Sequence, residues 1–200
     1  MLCNFDDKSI TCMEMSKSYV SSDMWLVCTS DCMLSLWHTG SFESKQVAQF
    51  VPDEWNKIEA HDKNFLHANF VHFYGEPSSD LIVYATPESN PGLVIYNFKQ
   101  QERIKFIQLP AFVLSFDIAP QKSLVACATA QNKLYIVEYE TESDNYCALE
   151  VAVNPHRETP RLLRFNPGAS VLFSAGKELL STWSVQCAKK IATKHKGLNA

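Results

Sequence analysis

The sequence predicts an all-β fold, a β-propeller of about four blades, on the basis of three observations. Apolar stretches separated by polar turns recur four times along the 200 residues. Within the copies, apolar and polar residues alternate with the period of a strand, as in residues 114–118. Each copy also closes on a bulky anchor residue, and the four anchors are 59, 41 and 46 residues apart: Trp37, Tyr96, Val137 and Trp183. A repeat of roughly 40–45 residues with four short strands is typical of propeller blades.

The four predicted blades use nearly all of the chain. Inner strands are expected near Ile10, Ala68, Val113 and Leu162, and outer strands at 46–50, 101–107, 146–151 and 189–194. We therefore expect one partial propeller over residues 1–200, with blades at about 9–51, 66–108, 112–151 and 160–196. A closed seven-blade ring would need roughly 300 residues at this period. The chain is thus expected to be part of a larger, incomplete propeller, and a closed four-blade ring is the alternative.

The third blade has the clearest strand pattern. Leu114, Phe116 and Ile118 lie two residues apart, with Ser115 and Asp117 between them, which is the period of a half-buried strand. Prolines follow the inner strands of the third and fourth blades at matching places, Pro120 and Pro167, and proline stops a ladder by removing a hydrogen-bond donor. The matching turns support a repeated unit.

The composition is that of an ordinary globular chain, with 46% hydrophobic and 20% charged residues. A net charge of −4 gives no general attraction to nucleic acid, so direct nucleic-acid binding is not expected. Apolar runs such as 81–85 are far shorter than the roughly 20 residues of a membrane helix, and no membrane partner is expected. The seven scattered cysteines fit a reducing, intracellular compartment, cytoplasmic and/or nuclear.

No catalytic, cofactor-binding or metal site is expected, and the chain is predicted not to be an enzyme. The candidate metal cluster is His61, His67 and His72, but an odd separation on a strand places His67 and His72 on opposite faces. Cys28 and Cys32 flank a turn and lack two further zinc ligands at suitable spacing. The six glycines never cluster into a phosphate-binding loop, and a nucleophile elbow of the Gly-x-Ser-x-Gly type is missing.

Protein binding is the predicted role of the exposed loops. We expect partner contacts on the loops of the blades and on the long segment 40–65, because binding is usually placed on loops of a rigid scaffold. Trp55, Phe65 and Phe70 form either an interaction patch near this segment or part of the core. A basic cluster at 189–196 either contacts phosphate or protects an exposed outer strand from aggregation.

Three segments carry a resemblance to a known family: 30–37 (SDCMLSLW), 92–96 (GLVIY) and 174–185 (SAGKELLSTWSV). The chain lacks the Gly-His and Trp-Asp dipeptides typical of WD repeats, since Trp37 precedes His38 and Trp183 precedes Ser184. Over residues 10–185 it resembles the divergent WD-repeat family of guanine-nucleotide-binding protein subunit beta-like protein 1, also called ASTRA-associated protein 1.

The resemblance implies a non-enzymatic scaffold or adaptor for protein–protein interactions in a multi-subunit complex. That family is linked to co-chaperone-assisted maturation of phosphatidylinositol-3-kinase-related kinases and to an associated chromatin complex. The alternative resemblance is to the non-catalytic WD-repeat subunit of the tRNA guanine-N7 methyltransferase, which would make the chain the partner of an RNA-modifying enzyme.

Overall fold

A computed structural model of the chain describes residues 10–15, 23–29, 33–39, 44–53, 71–74, 80–119, 124–139, 146–151 and 156–186. These residues form strands that belong to four antiparallel sheets. Sheet 1 contains β1 (Ile10–Met15), β2 (Asp23–Thr29), β3 (Leu34–Thr39) and β4 (Ser44–Phe50). Sheet 2 contains β5 (Val71–Tyr74), β6 (Leu81–Ala85), β7 (Gly92–Asn97) and β8 (Glu102–Gln108). Sheet 3 contains β9 (Val113–Ile118), β10 (Leu124–Thr129), β11 (Leu134–Tyr139) and β12 (Tyr146–Glu150). Sheet 4 contains β13 (Leu162–Phe165), β14 (Val171–Ala175) and β15 (Leu180–Ser184).

In each sheet the strands lie side by side in chain order. The predicted all-β blades are therefore confirmed, and the inner strands predicted near Ile10, Val113 and Leu162 are β1, β9 and β13. Ala68 and the outer strand predicted at 189–194 lie outside the described residues. The exact limits of the predicted blades stay a prediction. Within the described part of the chain, no helix is long and apolar enough to cross a membrane.

The chain divides into two compact units, residues 1–106 and 107–200. In the first unit, sheets 1 and 2 contact each other through aromatic rings. Phe50 on β4 stacks on Tyr96 on β7, with ring centroids 4.7 Å apart and an interplanar angle of 23°. Tyr84 on β6 lies beside Tyr96, at a centroid distance of 6.2 Å. Both pairs have favoured geometries; the Phe50–Tyr96 stack fixes sheet 1 against sheet 2, whereas the Tyr84–Tyr96 pair lies within sheet 2.

Successive side chains of a strand point to opposite faces of a sheet, so each blade has two faces. We call the face that carries the anchor residue (Trp37, Tyr96, Val137 or Trp183) the leading face, and the other the trailing face. In the second unit, the trailing face of sheet 3 packs on the leading face of sheet 4. Their shared core consists of Ala119, Leu124, Ala126, Ala128, Leu134, Ile136 and Val151 from sheet 3, and Leu163, Phe165, Ala169, Leu172 and Val185 from sheet 4.

The expectation that β9 is a half-buried strand was wrong. Ser115 is completely buried and Asp117 is 1% exposed, although both were expected on a polar face. The cause is sheet 4, which covers this face. Ser115 donates a hydrogen bond to the carbonyl of Pro160 at 2.8 Å, and Asp117 accepts one from the backbone N–H of Phe165. The polar residues of β9 are therefore contacts between two blades.

The anchor residues differ in burial. Val137 is completely buried, whereas Trp37, Tyr96 and Trp183 are only half-buried. Trp183 packs against the core shared by sheets 3 and 4 as a partly buried side chain. Tryptophan is a large side chain and is therefore rarely buried completely.

Candidate interaction surface

The loops of the second unit that meet at one edge of its sheets form the candidate interaction surface. In an up-and-down antiparallel sheet, alternate connections lie at the same edge, because each strand reverses the direction of the one before. The turn 130–133 follows β10, the segment 156–160 precedes β13, and the turn 176–179 joins β14 to β15. We call these three segments the loop edge of the second unit.

A buried polar network anchors the loop edge to sheet 4. Ser174 on β14 accepts a hydrogen bond from the indole Nε1 of Trp183 on β15 at 2.8 Å. The same hydroxyl lies 2.8 Å from Nε2 of His156. Ser174 is completely buried and His156 is 4% exposed, so the network lies inside the fold. Burial lowers the pKa of His156, because the charged imidazolium is less well solvated there.

Gly176 allows His156 to lie close to the turn that follows β14. A Cβ atom added at this glycine would be 3.1 Å from Nδ1 of His156, closer than side chains normally pack. A larger residue at position 176 would have to displace the imidazole or the turn. The glycine is therefore part of the structure that positions His156.

Two hydrogen bonds tie the segment 156–160 to the turn of sheet 3. Asn132 donates from Nδ2 to the carbonyl of His156 at 3.0 Å, and Thr159 donates from Oγ1 to the carbonyl of Thr129 at 2.9 Å. Asn132 has a φ of 59°, a left-handed conformation that asparagine tolerates better than most residues. The segment is thus held to sheet 3 at one side and to sheet 4 at the other.

An open cavity of about 450 Å³ lies at the loop edge, lined by His156, Arg157, Glu158, Gly176, Lys177, Glu178 and Leu179. Glu158 accepts a hydrogen bond from the backbone N–H of Lys177 at 3.1 Å, and its other oxygen lies 3.7 Å from Nζ of the same lysine. Leu179 is 42% exposed beside these charges. The cavity therefore offers both signs of charge and an apolar contact on loops fixed at both ends.

The arrangement fits binding better than chemistry. The hydroxyl of Ser174 is completely buried and already engaged by Trp183, so it does not face the cavity as a nucleophile. His156 is directed into the same network. Within the described residues, no group of three or more His, Cys, Asp or Glu side chains could hold a metal ion.

Among the candidate metal ligands named from the sequence, His72 is the one whose side chain the structure describes. His72 lies on β5 and is 2% exposed, while His61, His67 and Cys32 lie outside the described residues, as does the side chain of Cys28. The aromatic candidates, the basic cluster and most of segment 40–65 also lie outside them; of that segment 44–53 is described. The prediction that these parts contact partners stays a prediction.

No sequence motif assigns a functional role to His156 or Ser174. One signal was present: Ser174 occupies an inward position of β14, since it alternates with Phe173 and shares a face with Leu172. A serine at a buried position needs a hydrogen-bond partner, and Trp183 on the neighbouring strand is a donor. In sheet 1, Trp37 likewise donates from Nε1 to Ser35 at 3.0 Å, but that serine is on the same strand.

Comparison with known proteins supports the WD-repeat fold. No family model matches the chain. Human WD repeat-containing protein 90 is 27% identical over 183 residues, which cover 88% of this chain and 10% of the human protein. A chain in the crystal structure of the mitotic checkpoint complex superposes with a TM-score of 0.64 at 13% identity, over 88% of this chain and 49% of that one.

These two similarities confirm the predicted fold class, a WD-repeat β-propeller. They support the WD-repeat part of the resemblance seen in the sequence, without selecting the narrower family named there. The chain spans about a tenth of the length of the curated relative and about half of the solved chain.

Proposed function

We propose that this WD-repeat β-propeller chain is a non-enzymatic scaffold that binds protein partners through the loop edge of its second unit. The observation that carries the proposal is the anchoring of segment 156–160. Hydrogen bonds fix it to Thr129 and Asn132 of one blade, and to Ser174 and Lys177 of the next. Loops held on a rigid scaffold lose little conformational entropy on binding, which favours affinity.

The charges at the cavity favour a peptide or protein surface as ligand. Arg157 and Glu178 are exposed there, and the Lys177–Glu158 pair lies beside them with Lys177 73% exposed. The charges of the two positive and two negative side chains balance, so the cavity does not attract a polyanion or a polycation. Leu179 adds an apolar contact, and mixed surfaces of this kind are usual at the edges of protein–protein interfaces.

A multi-subunit complex is the proposed setting. The similar solved chain comes from the crystal structure of a complex, which agrees with a scaffold role in an assembly. The three sequence segments that resemble guanine-nucleotide-binding protein subunit beta-like protein 1 favour kinase-maturation co-chaperones or a chromatin complex as partners, in the cytoplasm and/or nucleus. The alternative partner is the catalytic subunit of the tRNA guanine-N7 methyltransferase.

Affinity purification with mass spectrometry tests the proposal. The variants Arg157→Glu and Leu179→Asp change exposed side chains at the cavity, and Lys99→Glu serves as a matched control because Lys99 is 65% exposed in the other unit. We expect each cavity variant to reduce partner recovery about tenfold or more, while the control retains it. Melting midpoints within about 2 °C of wild type would show that folding is intact.

Three outcomes of this experiment are decisive. Equal recovery by folded cavity variants and by wild type would contradict binding at the loop edge. Recovery of kinase-maturation co-chaperones favours the first partner class, and recovery of a methyltransferase favours the second. Deleting residues 54–60 in parallel tests the separate prediction that segment 40–65 contacts partners.

A further inference from the structure

One charge pair at the loop-edge cavity neutralises itself. Glu158 on the segment 156–160 accepts a hydrogen bond from the backbone N–H of Lys177, and its second oxygen lies 3.7 Å from Nζ of the same lysine. The carboxylate is thus held at two points by one residue of the turn 176–179. The pair joins the two loops and adds no net charge to the cavity.

His156 adds no charge to the cavity at neutral pH. Its Nε2 lies 2.8 Å from the buried hydroxyl of Ser174, and its close approach to Gly176 keeps the imidazole inside the fold. Burial also lowers the pKa of His156, so the neutral form predominates. Two charged side chains of the lining remain, Arg157 and Glu178.

Arg157 and Glu178 carry opposite charges and line one cavity without pairing. Both are exposed, and within the described part of the chain neither side chain makes a hydrogen bond or an ion pair. They belong to different loops, since Arg157 precedes Glu158 on the segment and Glu178 follows Lys177 on the turn. A guanidinium with five donors and a carboxylate with two acceptor oxygens are therefore both available to a ligand.

Leu179 gives the same cavity an apolar contact at a fixed position. Its carbonyl accepts a hydrogen bond from the backbone N–H of Gly176 at 3.0 Å, which closes the turn, while its side chain is 42% exposed. Covering such a side chain with a ligand is favourable because apolar surface leaves water. The cavity thus presents a cation, an anion and an apolar group on loops that are already anchored.

We propose that this cavity binds a short peptide segment that carries one acidic, one basic and one apolar side chain close together. The acidic group pairs with Arg157, the basic group pairs with Glu178, and the apolar side chain packs on Leu179. Since binding of protein partners at the loop edge is itself the proposed function, this ligand chemistry rests on it.

Size and charge both favour a short peptide segment as the occupant. The volume of about 450 Å³ lies in the range of small-ligand pockets, roughly 300–1,000 Å³, so the cavity admits a few side chains and not a folded domain. A ligand of uniform charge would pair with one of the two exposed groups and place a like charge beside the other, which disfavours it. A peptide with both signs of charge satisfies Arg157 and Glu178 together.

Selection of random peptides of about 12 residues, displayed on phage, against the immobilised 200-residue chain tests the proposal. We expect enriched sequences that combine an acidic, a basic and an apolar residue within a few positions. Fluorescence anisotropy with one such synthetic peptide then measures affinity. Arg157→Glu, Glu178→Lys and Leu179→Asp should each weaken its binding about tenfold or more. The matched charge controls Lys99→Glu and Glu88→Lys change exposed residues of the first unit and should leave binding unchanged.

Exchanging charges between protein and peptide identifies the pairs. The Arg157→Glu chain should regain affinity for a peptide whose acidic residue is replaced by lysine, and the Glu178→Lys chain for one whose basic residue is replaced by glutamate. The double variant Arg157→Glu with Glu178→Arg keeps the net charge of −4. Loss of the original peptide by this double variant therefore reports the local pairs and not the overall field.

The outcomes separate this ligand chemistry from the proposed function. Peptide binding that is lost in Leu179→Asp but unaffected by both charge reversals would overturn the ligand chemistry and leave the loop edge as the binding surface. Binding that none of the three variants weakens, or no enrichment over an albumin-coated surface, would also overturn it. The proposed function itself fails only if partner recovery in affinity purification is equally insensitive to the cavity variants. Should a variant not fold by circular dichroism, Arg157→Gln, Glu178→Gln or Leu179→Ser replaces it in the same comparison.

Discussion

Asp117 on β9 and Phe165 on β13 join two different sheets by a hydrogen bond of 2.7 Å from the backbone N–H of Phe165 to the aspartate. The other carboxylate oxygen lies 3.0 Å from Nη1 of Arg164. Asp117 is 1% exposed, whereas the side chain of Arg164 is 44% exposed. A buried side chain thus satisfies a strand N–H that no neighbouring strand of its own sheet accepts, and it couples the inner strands of two blades.

Replacing Asp117 with Ala should lower the free energy of unfolding by about 2–3 kcal/mol, because the N–H of Phe165 would remain buried without its acceptor. Asp117→Asn retains one acceptor oxygen and should cost about half as much. Urea denaturation measures both variants. Asp80→Ala is the control, since Asp80 is in a partly exposed ion pair with Lys99 and such pairs contribute little. Equal losses for Asp117→Ala and the control would contradict the coupling.

The Trp183–Ser174 hydrogen bond should be separable from the packing of the indole. Trp183→Phe removes the hydrogen-bond donor and keeps much of the aromatic ring. We expect it to lower the free energy of unfolding by about 1 kcal/mol. Trp183→Ala should cost about 3 kcal/mol, at the low end for aromatic truncation because the residue is half-buried. A double-mutant cycle of Trp183→Phe with Ser174→Ala should give a coupling of about 0.5–1.5 kcal/mol. Strict additivity would show that the bond contributes nothing.

His156 should make stability depend on pH. Its pKa is lowered by burial from the ordinary value of 6.5, so the unfolded chain takes up a proton before the folded chain does. The stability that the buried, neutral His156 contributes is fully present above about pH 6.5. It is lost as the pH falls from there toward the lower pKa of the folded protein, by at most about 1.4 kcal/mol per pH unit.

Thermal denaturation of wild type and His156→Gln between pH 8 and pH 5 measures this effect, with the pH range chosen to span the ordinary histidine pKa of about 6.5. The wild type should lose more stability than the variant on acidification. Equal slopes for the two proteins would contradict a role for His156 in the pH dependence.

Cys127 on β10 should resist alkylation in the folded protein. The side chain is completely buried, and burial raises the pKa of its thiol far above the ordinary value, so the reactive thiolate is scarce. Iodoacetamide treatment followed by peptide mass spectrometry should leave Cys127 unmodified in native buffer and modify it in concentrated urea. Rapid native modification would show that the second unit opens locally at β10.

Much of the strand arrangement can be predicted from the local alternation of apolar and polar residues. The contacts between sheets cannot be predicted from it. The alternation at Leu163, Phe165, Leu172 and Ser174 gives the inward positions of sheet 4, because strand periodicity is a local property. The same rule assigned Ser115 and Asp117 to solvent. Their burial depends on the next blade, about 45 residues further along the chain, and alternation in one strand carries no information about what covers its second face.

The loop edge was beyond sequence reasoning for a related reason. His156 precedes β13 and Ser174 lies 18 residues later, so no short motif joins them. Their contact with Trp183 arises from strand pairing between β14 and β15 combined with the path of segment 156–160. A general expectation that blade loops bind partners could be derived from the repeat, but the particular loops and their charges required the structure.

Each sheet takes all of its described strands from one uninterrupted stretch of chain, in chain order. Gain or loss of a whole blade by duplication or deletion of a gene segment would therefore break no ladder of backbone hydrogen bonds inside the remaining blades. Only side-chain contacts such as those of Asp117 would need to be matched again at the new junction. Blade number in such a protein can therefore change by whole segments, because each repeat makes its side-chain contacts with its immediate neighbours.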